Sequence, residues 1–303
     1  MLWLSCAVLT PGAALASEEP PPLPAHRLVL QSLTALRVNP IGVEEQLKLG
    51  LQERLYDGAA SALTKDNFLF VGIAPRLNPG YVRIGPILEL QPFSMLNLRV
   101  TAEYIRFLST VGFVQSYRSP LDESSDTDRK TGEDAGLAYA TTVGHFTFEP
   151  LLQAKLGPIA IRDRLGAELW VADLHGDDRV FYEASLDTLI PRTGWVLTND
   201  ADLLWIRGDG LVLGLRHTSV SPHYSASDYA NGEDTTDNPN GHQRLGVLGA
   251  YTFWDEGTSR FNKPTVLAIS SWYLDHRYRT GADVSRAVPY LLVAFAFTSD
   301  LPR

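Results

Sequence analysis

Short segments in which apolar and polar side chains alternate recur along almost the whole chain. Between Asn97 and Tyr104, for example, every even-numbered residue is apolar or aromatic and every odd-numbered residue is polar. A period of two matches the alternating faces of a β-strand and differs from the period of a helix. Because turns rich in Gly, Pro, Asn and Asp separate these segments, the pattern predicts an all-β fold.

About twelve such strands are predicted, and no convincing helical period separates them. The expected strands begin near residues 43, 66, 81, 95, 136, 159, 179, 195, 211, 243, 265 and 286. An even number of antiparallel strands closes into a barrel without a free edge. We therefore predict one antiparallel up-and-down transmembrane β-barrel, and no change in composition marks a second domain.

The transmembrane form is favoured by the polar faces of the predicted strands, which carry charges of both signs. Arg83 and Glu89 share one such face, as do Arg99 and Glu103. Such faces suit a hydrated or salt-bridged interior, and the apolar faces would then contact lipid. Aromatic residues lie near predicted strand ends, as an interfacial girdle requires. These are Phe68, Tyr81, Phe93, Trp195, Trp205, Tyr251, Phe253, Trp254, Trp272 and Tyr273.

The last predicted strand runs from Val288 to Phe297 and ends in Phe295-Ala296-Phe297. This ending resembles the aromatic-ended final strand of bacterial outer-membrane proteins. The resemblance implies a location in the bacterial outer membrane, contact with its lipids, and insertion by the barrel-assembly machinery. A net charge of −9 argues against nucleic acid as the main partner, because no basic stripe is available for phosphates. The oligomeric state stays open.

The N-terminal residues differ from the rest of the chain. The first sixteen are mostly small and apolar and end in Ala-Leu-Ala, the form of a signal-peptide cleavage site. We predict a signal peptide over 1–16, a Pro-rich linker over 17–40 and a barrel domain over 41–303. The single cysteine, Cys6, lies in the signal peptide, so the secreted chain would contain no disulfide.

Two long polar segments, 119–134 and 221–242, interrupt the series of predicted strands. Counting connections from a periplasmic N-terminus makes 221–242 the ninth connection, on the extracellular side. The same count makes 119–134 the fourth, on the periplasmic side, where connections of transmembrane barrels are usually short. This conflict indicates an error in the predicted strands, and the region 105–157 is where we expect it.

The segment from Leu211 to Ser219 ends in a His-x-Ser pair and leads into the second polar segment. By the period of two, His217 and Ser219 share a face with the leucines at 211, 213 and 215. A serine hydroxyl becomes a nucleophile at neutral pH when an adjacent base, usually an imidazole, takes its proton. The pair is therefore a candidate for nucleophilic catalysis. The structural alternative is a polar strand end at the rim of a barrel.

The His-x-Ser pair resembles the corresponding element of two groups of barrel hydrolases, outer-membrane phospholipase A and the lipid A deacylases. The resemblance implies an antiparallel barrel, a lipid-facing site near the outer leaflet and hydrolysis of a lipid ester. It implies His217 as the base and Ser219 as the nucleophile. It also implies Asn231, or more weakly Glu233, as the residue that orients the imidazole. Apart from calcium, which assists the phospholipase, no cofactor is predicted.

Three functions remain open from the sequence. The first interpretation is an outer-membrane envelope barrel that forms a narrow pore. The second is a lipid hydrolase that uses His217 and Ser219, and the third is a soluble periplasmic β-barrel that binds a ligand. A metal site formed by His217, His223 and His242 with nearby carboxylates is a further alternative, although its spacing matches no recognised calcium loop.

Overall fold

The computed structural model describes residues 24–57, 61 and 63–302, and the predicted signal peptide lies outside them. The elements are β1 (His26–Val38), β2 (Gly42–Glu53), β3 (Phe68–Ile73), β4 (Arg76–Asn78), β5 (Tyr81–Ile84), β6 (Pro86–Phe93), β7 (Leu96–Phe107), β8 (Ser116–Tyr117), α1 (Asp126–Asp134), β9 (Thr142–Leu156), β10 (Ile159–Ala172), β11 (Val180–Glu183), β12 (Thr188–Pro191), β13 (Thr193–Ile206), β14 (Leu211–Pro222), β15 (His242–Thr252), β16 (Asn262–Asp275) and β17 (Tyr290–Leu301). Among the described residues, no helix is long and apolar enough to cross a membrane.

Within the described residues, twelve barrel strands form one closed antiparallel sheet. β3 and β4 together make the third barrel strand, and β5 and β6 make the fourth, because both β2 and β7 pair with both halves of the neighbouring broken strand. β1 closes the barrel by pairing with β2 on one side and β17 on the other. The predictions of a single barrel and of about twelve strands are confirmed.

Two errors in the predicted strands cancel in that count. β1 lies inside the expected linker over 17–40, so the linker is wrong for residues 26–38. The inward residues of β1 include Val29, Leu33 and Ala35, which are apolar, so this strand lacks the clear alternation of the others. Conversely, the strand expected near 179 belongs to a hairpin of β11 and β12, which forms a separate three-stranded sheet with β8.

The polarity of the barrel is the reverse of that in a soluble protein. Leu213 and Leu215 on β14 face outward and are 43% and 49% exposed, whereas the neighbouring Arg216 faces inward and is 7% exposed. Arg83 and Arg99 on other strands are also buried in the interior. An apolar outer surface around charged side chains suits a strand barrel surrounded by lipid. The interpretation as a soluble binding barrel is therefore wrong.

The aromatic girdle is present in part. Trp195 and Trp205 face outward near opposite ends of β13, where an interfacial side chain is expected. Tyr81 and Tyr273, in contrast, are buried and pack inside the barrel, so their assignment to the girdle is wrong. Alternation identified the strands, but the parity of each aromatic residue decides whether it meets lipid.

Connection lengths separate the two ends of the barrel. The turns at 94–95, 157–158 and 207–210 lie at one end, together with the longer connections 54–67 and 253–261 and both described termini. The long connections 108–141, 173–192, 223–241 and 276–289 lie at the other end. Since transmembrane barrels have short periplasmic turns and longer outer loops, the second end is the extracellular one. The two polar segments thus share a side, and their predicted separation is wrong because the strand expected near 179, which lies between them, is not part of the barrel. The errors in the predicted strands lie at β1 and at this hairpin, so the expectation that the error lies in 105–157 is also wrong.

The long extracellular connections fold together into a cap, which we define as 108–141, 173–192, 223–241 and 276–289. Its connection 173–192 enters the barrel, where the Glu183 carboxylate accepts a hydrogen bond of 2.7 Å from Arg83 on β5. Asp187 accepts a hydrogen bond of 2.8 Å from Tyr273 on β16 and is also paired with Arg279 of the cap. The cap therefore closes the extracellular mouth of the lumen.

Candidate functional site on the lipid-facing surface

His217 and Ser219 lie on the outer face of β14, five and three residues before the strand's extracellular end at Pro222. The inward positions between and beyond them are Thr218 and Val220, which are both buried. Because Leu213 and Leu215 point outward along the same strand, the predicted common face is confirmed. The pair therefore faces the membrane near its outer boundary.

The imidazole of His217 is held by the next strand rather than by the following loop. Its Nε2 lies 3.2 Å from Oε1 of Gln243 on β15. Since an amide oxygen only accepts, this contact assigns the proton to Nε2 and leaves Nδ1 as the basic nitrogen. Gln243 is also the direct cross-strand neighbour of Ser219. Three side chains with the chemistry of a serine hydrolase site are thus adjacent on one surface.

No hydrogen bond joins His217 to Ser219 in the part of the chain that the structure describes. Residues i and i+2 of a strand have Cα atoms roughly 6.5–7 Å apart, so rotation of the two side chains is needed to bring Nδ1 and Oγ together. Catalytic hydrogen bonds of this kind are often long before substrate binds. The shared face supplies the required adjacency, and the contact itself would form with substrate.

Asn231 and Glu233 lie in the connection 223–241, and Asn231 is exposed there. Glu233 accepts hydrogen bonds from Ser119 and, at 2.8 Å, from the backbone N–H of Ala230, so its carboxylate belongs to the cap. Within the described residues, neither side chain is hydrogen-bonded to His217. Gln243 occupies the position expected of the orienting residue, and it could not be predicted because the register of β14 with β15 is not visible in the sequence.

Polar residues continue this surface across two more strands. Asn199 on β13 is the direct cross-strand neighbour of Ser219, on the side opposite Gln243. Its Nδ2 donates to Oδ1 of Asp163 on β10 at 2.5 Å and to the backbone oxygen of Arg164 at 3.2 Å. We call the outward set the polar track. Its members are Asp163, Asn199, His217, Ser219 and Gln243.

A polar track on this face is costly, because polar and charged groups facing lipid destabilise a barrel. A second outward cluster exists on β1 and β2, where the Glu45 carboxylate accepts hydrogen bonds from Ser32, at 2.7 Å, and from Thr34. That cluster contains no imidazole, which is the usual base for a serine nucleophile. The polar track is therefore the stronger candidate for a chemical site.

The lumen holds a buried network of ion pairs. His145 lies between two carboxylates, with Nδ1 2.9 Å from Glu103 and Nε2 3.0 Å from Glu168, and its ring stacks on Trp170. Further pairs cross neighbouring strands, including Lys48 with Glu89. Other pairs among the described residues include Arg76–Glu103, Arg83–Glu183, Arg99–Glu89, Arg99–Glu149, Arg162–Asp202, Arg216–Asp200 and Arg216–Asp202.

The rest of the lumen is filled by apolar side chains. Leu33, Leu248 and Leu292 belong to a buried cluster that β1 and β14–β17 help to form. The interior is therefore packed, and it is less uniformly polar than the alternation indicates. A solute could cross the barrel only if ion pairs were broken and the inserted cap connection moved, so the expected narrow pore has no open path in this conformation.

The alternative metal site would combine His217, His223 and His242 with nearby carboxylates. His242 is buried and its Nε2 donates to the backbone oxygen of Leu186 at 2.7 Å, while His223 is exposed. In the described ranges, no group of three or more His, Cys, Asp or Glu side chains is arranged to hold a metal ion. The described residues therefore do not form a preformed metal site, and calcium stays a prediction that follows from the resemblance alone.

Comparisons with known proteins give weak similarities to solved structures. The translocator domain of the autotransporter NalP from Neisseria meningitidis is 11% identical over 92% of this chain and 89% of that chain, with a TM-score of 0.37. LpxR from Salmonella typhimurium is 9% identical over 90% of this chain and 100% of that chain, with a TM-score of 0.37. A Pseudomonas aeruginosa FadL homologue is 11% identical over 90% of this chain and 75% of that chain, with a TM-score of 0.38.

No family model and no curated protein matches the chain. The structural similarities are too low to assign a family or an activity, so the class of protein follows from the barrel itself. Twelve described strands close without a free edge, leucines such as Leu213 and Leu215 lie on the outside, and charged side chains such as Arg83 and Arg99 lie inside. The chain is a β-barrel protein of the bacterial outer membrane.

Proposed function

We propose that the protein hydrolyses an acyl ester of a membrane lipid at the polar track. The observation that carries this proposal is the position of His217 and Ser219, which point outward into the membrane beside Gln243. An ester group of a lipid in the outer leaflet would reach this surface by lateral diffusion. A lipid substrate therefore needs no path through the filled lumen.

The chemistry would follow that of other serine–histidine hydrolases. Oγ of Ser219 attacks the acyl carbonyl carbon while Nδ1 of His217 takes the hydroxyl proton. The C–O bond to the lipid alcohol breaks, and His217 gives its proton to the leaving oxygen. Water, activated in turn by His217, then hydrolyses the acyl-serine and releases a fatty acid. Gln243 accepts from Nε2–H and keeps the imidazole in the tautomer that makes Nδ1 the base.

The filled lumen favours this function over a pore. Residues of the cap enter the extracellular mouth, and ion pairs and leucines occupy the space below. A resting pore would require water-filled space along the axis. A hydrolase that works on the outer surface places no such demand on the interior, which can be packed for stability.

The test uses the purified full-length protein in vesicles of phospholipid and, separately, of bacterial glycolipid. Release of fatty acid is measured with calcium and with a chelator. We expect release by the wild type, loss of at least a thousandfold in Ser219→Ala and His217→Ala, and little change in Ser221→Ala. Ser221 is the matched control because it also faces outward on β14, two residues beyond Ser219. Absence of release in both vesicle types, or full activity of Ser219→Ala, contradicts the proposal.

A further inference from the structure

The inserted connection 173–192 presents two side chains to the inner wall of the barrel near its extracellular mouth. Phe181 and Glu183 are two residues apart on β11, so they lie on the same face of that strand, and both side chains are buried. Tyr182 between them packs with a different cluster, inside the cap. One strand of the cap therefore places an aromatic ring and a carboxylate side by side against the wall.

The ring of Phe181 packs against aromatic side chains of the wall. Its centroid lies 6.4 Å from that of Phe107 on β7 and 6.2 Å from that of Trp170 on β10, and both contacts are edge-to-face. Tyr81 on β5 packs edge-to-face against Phe107 in turn. We call these three wall residues, Tyr81, Phe107 and Trp170, the aromatic recess.

Arg83 lies beside the aromatic recess and holds the carboxylate of the inserted connection. Its guanidinium carbon is 4.4 Å from the ring centroid of Tyr81 and 5.5 Å from that of Trp170. Nη2 of Arg83 donates to Oε1 of Glu183, but among the described residues Nε of Arg83 and Oε2 of Glu183 have no hydrogen-bond partner. Oε1 also accepts from the backbone N–H and the hydroxyl of Ser185, which tie the carboxylate to its own connection.

A guanidinium commonly binds a carboxylate through two parallel hydrogen bonds, and Glu183 supplies only one of them. A buried donor and a buried acceptor that both lack partners are costly. The residues of the wall are therefore better suited to a carboxylate that is free to turn than to the one that the cap provides.

We propose that the aromatic recess and Arg83 form a binding site for a small aromatic carboxylate, which Phe181 and Glu183 occupy as an internal mimic of the ligand. The ring of a free aryl carboxylate would replace Phe181, and its carboxylate would accept from both Nη2 and Nε of Arg83. The ligand and the inserted connection compete for one site, so ligand binding releases the connection from the lumen. The site lies inside the barrel and does not depend on the proposed hydrolase.

The test measures calorimetric binding of phenylpropionate to the purified full chain in detergent micelles. Occupation by the cap lowers the apparent affinity of the wild type, because ligand binds only the molecules in which the site is open. We expect Glu183→Gln to bind about tenfold more tightly or better, since the change weakens the internal competitor. Arg83→Met removes the same ion pair but should bind no more than protein-free micelles do. Asp209→Asn, which changes an exposed pair, should bind as the wild type does.

Two further ligands separate this site from partition into detergent and from a general anion site. Phenylpropionamide has the ring without the charge, and propionate has the charge without the ring. Both should bind Glu183→Gln about tenfold more weakly than phenylpropionate, or weaker still. In the wild type, phenylpropionate should accelerate hydrogen exchange of the β11 and β12 amides until the site is saturated.

Equal affinity of Glu183→Gln and the wild type for phenylpropionate overturns the internal competition, and binding to Arg83→Met as tight as to Glu183→Gln overturns the site. Equal binding of the three ligands to Glu183→Gln overturns the aromatic carboxylate as the ligand class. If Arg83→Met does not fold, the comparison of Glu183→Gln with the wild type and the comparison of the three ligands still decide the proposal. Each result is independent of lipid hydrolysis.

Discussion

The ion pair between Arg83 and Glu183 anchors the inserted connection of the cap to the barrel wall. Nη2 of Arg83 donates to Oε1 of Glu183 at 2.7 Å, and the two side chains are 1% and 0% exposed. The change Glu183→Gln keeps the size of the side chain and removes its charge. Loss of one partner of a buried pair costs about 3–5 kcal/mol, because the other charge stays buried without compensation.

A loss of about 3 kcal/mol would raise the population of the undocked connection by roughly a hundredfold. Hydrogen exchange of the β11 and β12 amides in detergent micelles measures this population directly. The double variant Arg83→Met, Glu183→Met should recover most of the protection, since apolar side chains can replace a buried pair. Asp209→Asn is the control, because its pair with Arg207 is 59% and 52% exposed and contributes little.

The anchoring role is refuted if the effects of the two single changes on the free energy of opening simply add in the double variant. If Arg83→Met and Glu183→Met each accelerate exchange and the double variant accelerates it by the product of both factors, the two charges do not act as a pair. Exchange in Glu183→Gln that stays within threefold of the wild type would equally exclude the anchoring role. In that case apolar contacts of the cap alone would hold the connection in the lumen.

Three further changes test other parts of the structure. Gly85→Ala should lower the free energy of unfolding in urea by about 2 kcal/mol, because a Cβ there would lie 1.9 Å from the backbone oxygen of Ala102. Gly144→Ala is the control and should change the free energy of unfolding little, because the nearest atom to its Cβ would be 3.9 Å away. Gln243→Leu should reduce kcat of lipid hydrolysis about tenfold or more without lowering the unfolding midpoint, since it removes the partner of the imidazole. Asp187→Asn should make the cap protease-sensitive at every pH between 5 and 8, while the wild-type cap stays resistant throughout.

The Asp187 carboxylate has a lowered pKa, so the cap should be insensitive to pH between 5 and 8. Burial alone would raise the pKa of Asp187, but attraction to Arg279 and hydrogen bonding with His276 outweigh it and hold the pKa well below 3.8. A lowered folded pKa contributes stability that is present above the unfolded pKa and is lost as pH falls through the folded value. Between pH 5 and 8 the carboxylate remains ionised, so a wild-type cap that opens in this window contradicts the assignment.

Strand periodicity was sufficient for the class of fold and insufficient for its details. The alternation around Asn97 predicted a barrel wall, and the parity of Leu213 and His217 predicted a common outward face. β1 was missed because its inward positions, such as Leu33, meet the apolar part of the lumen and carry no polar signal. The alternation rule assumes that the two faces differ in polarity, and it fails wherever the interior of a barrel is itself apolar.

The candidate site was predictable only as far as one strand extends. His217 and Ser219 are two residues apart, so their common face follows from the sequence. Gln243 and Asn199 are equally close in space, but they belong to neighbouring strands and are placed by the register of β14 with β15 and β13. Asn231 was chosen because it is near in sequence, and no periodicity reveals which residue lies opposite across a sheet.

The contrast between the two sides of the barrel wall bears on where function resides. Inside the barrel, charged side chains such as Arg99 and Glu89 form ion pairs. This network is explained by the architecture, because the inward side chains of a small barrel must fill its lumen. Outside, nothing about folding requires a carboxylate and an imidazole, because leucine would serve better there. An outward imidazole such as His217 is expected to cost stability in lipid, and we predict that His217→Leu raises the unfolding midpoint while it abolishes the proposed hydrolysis.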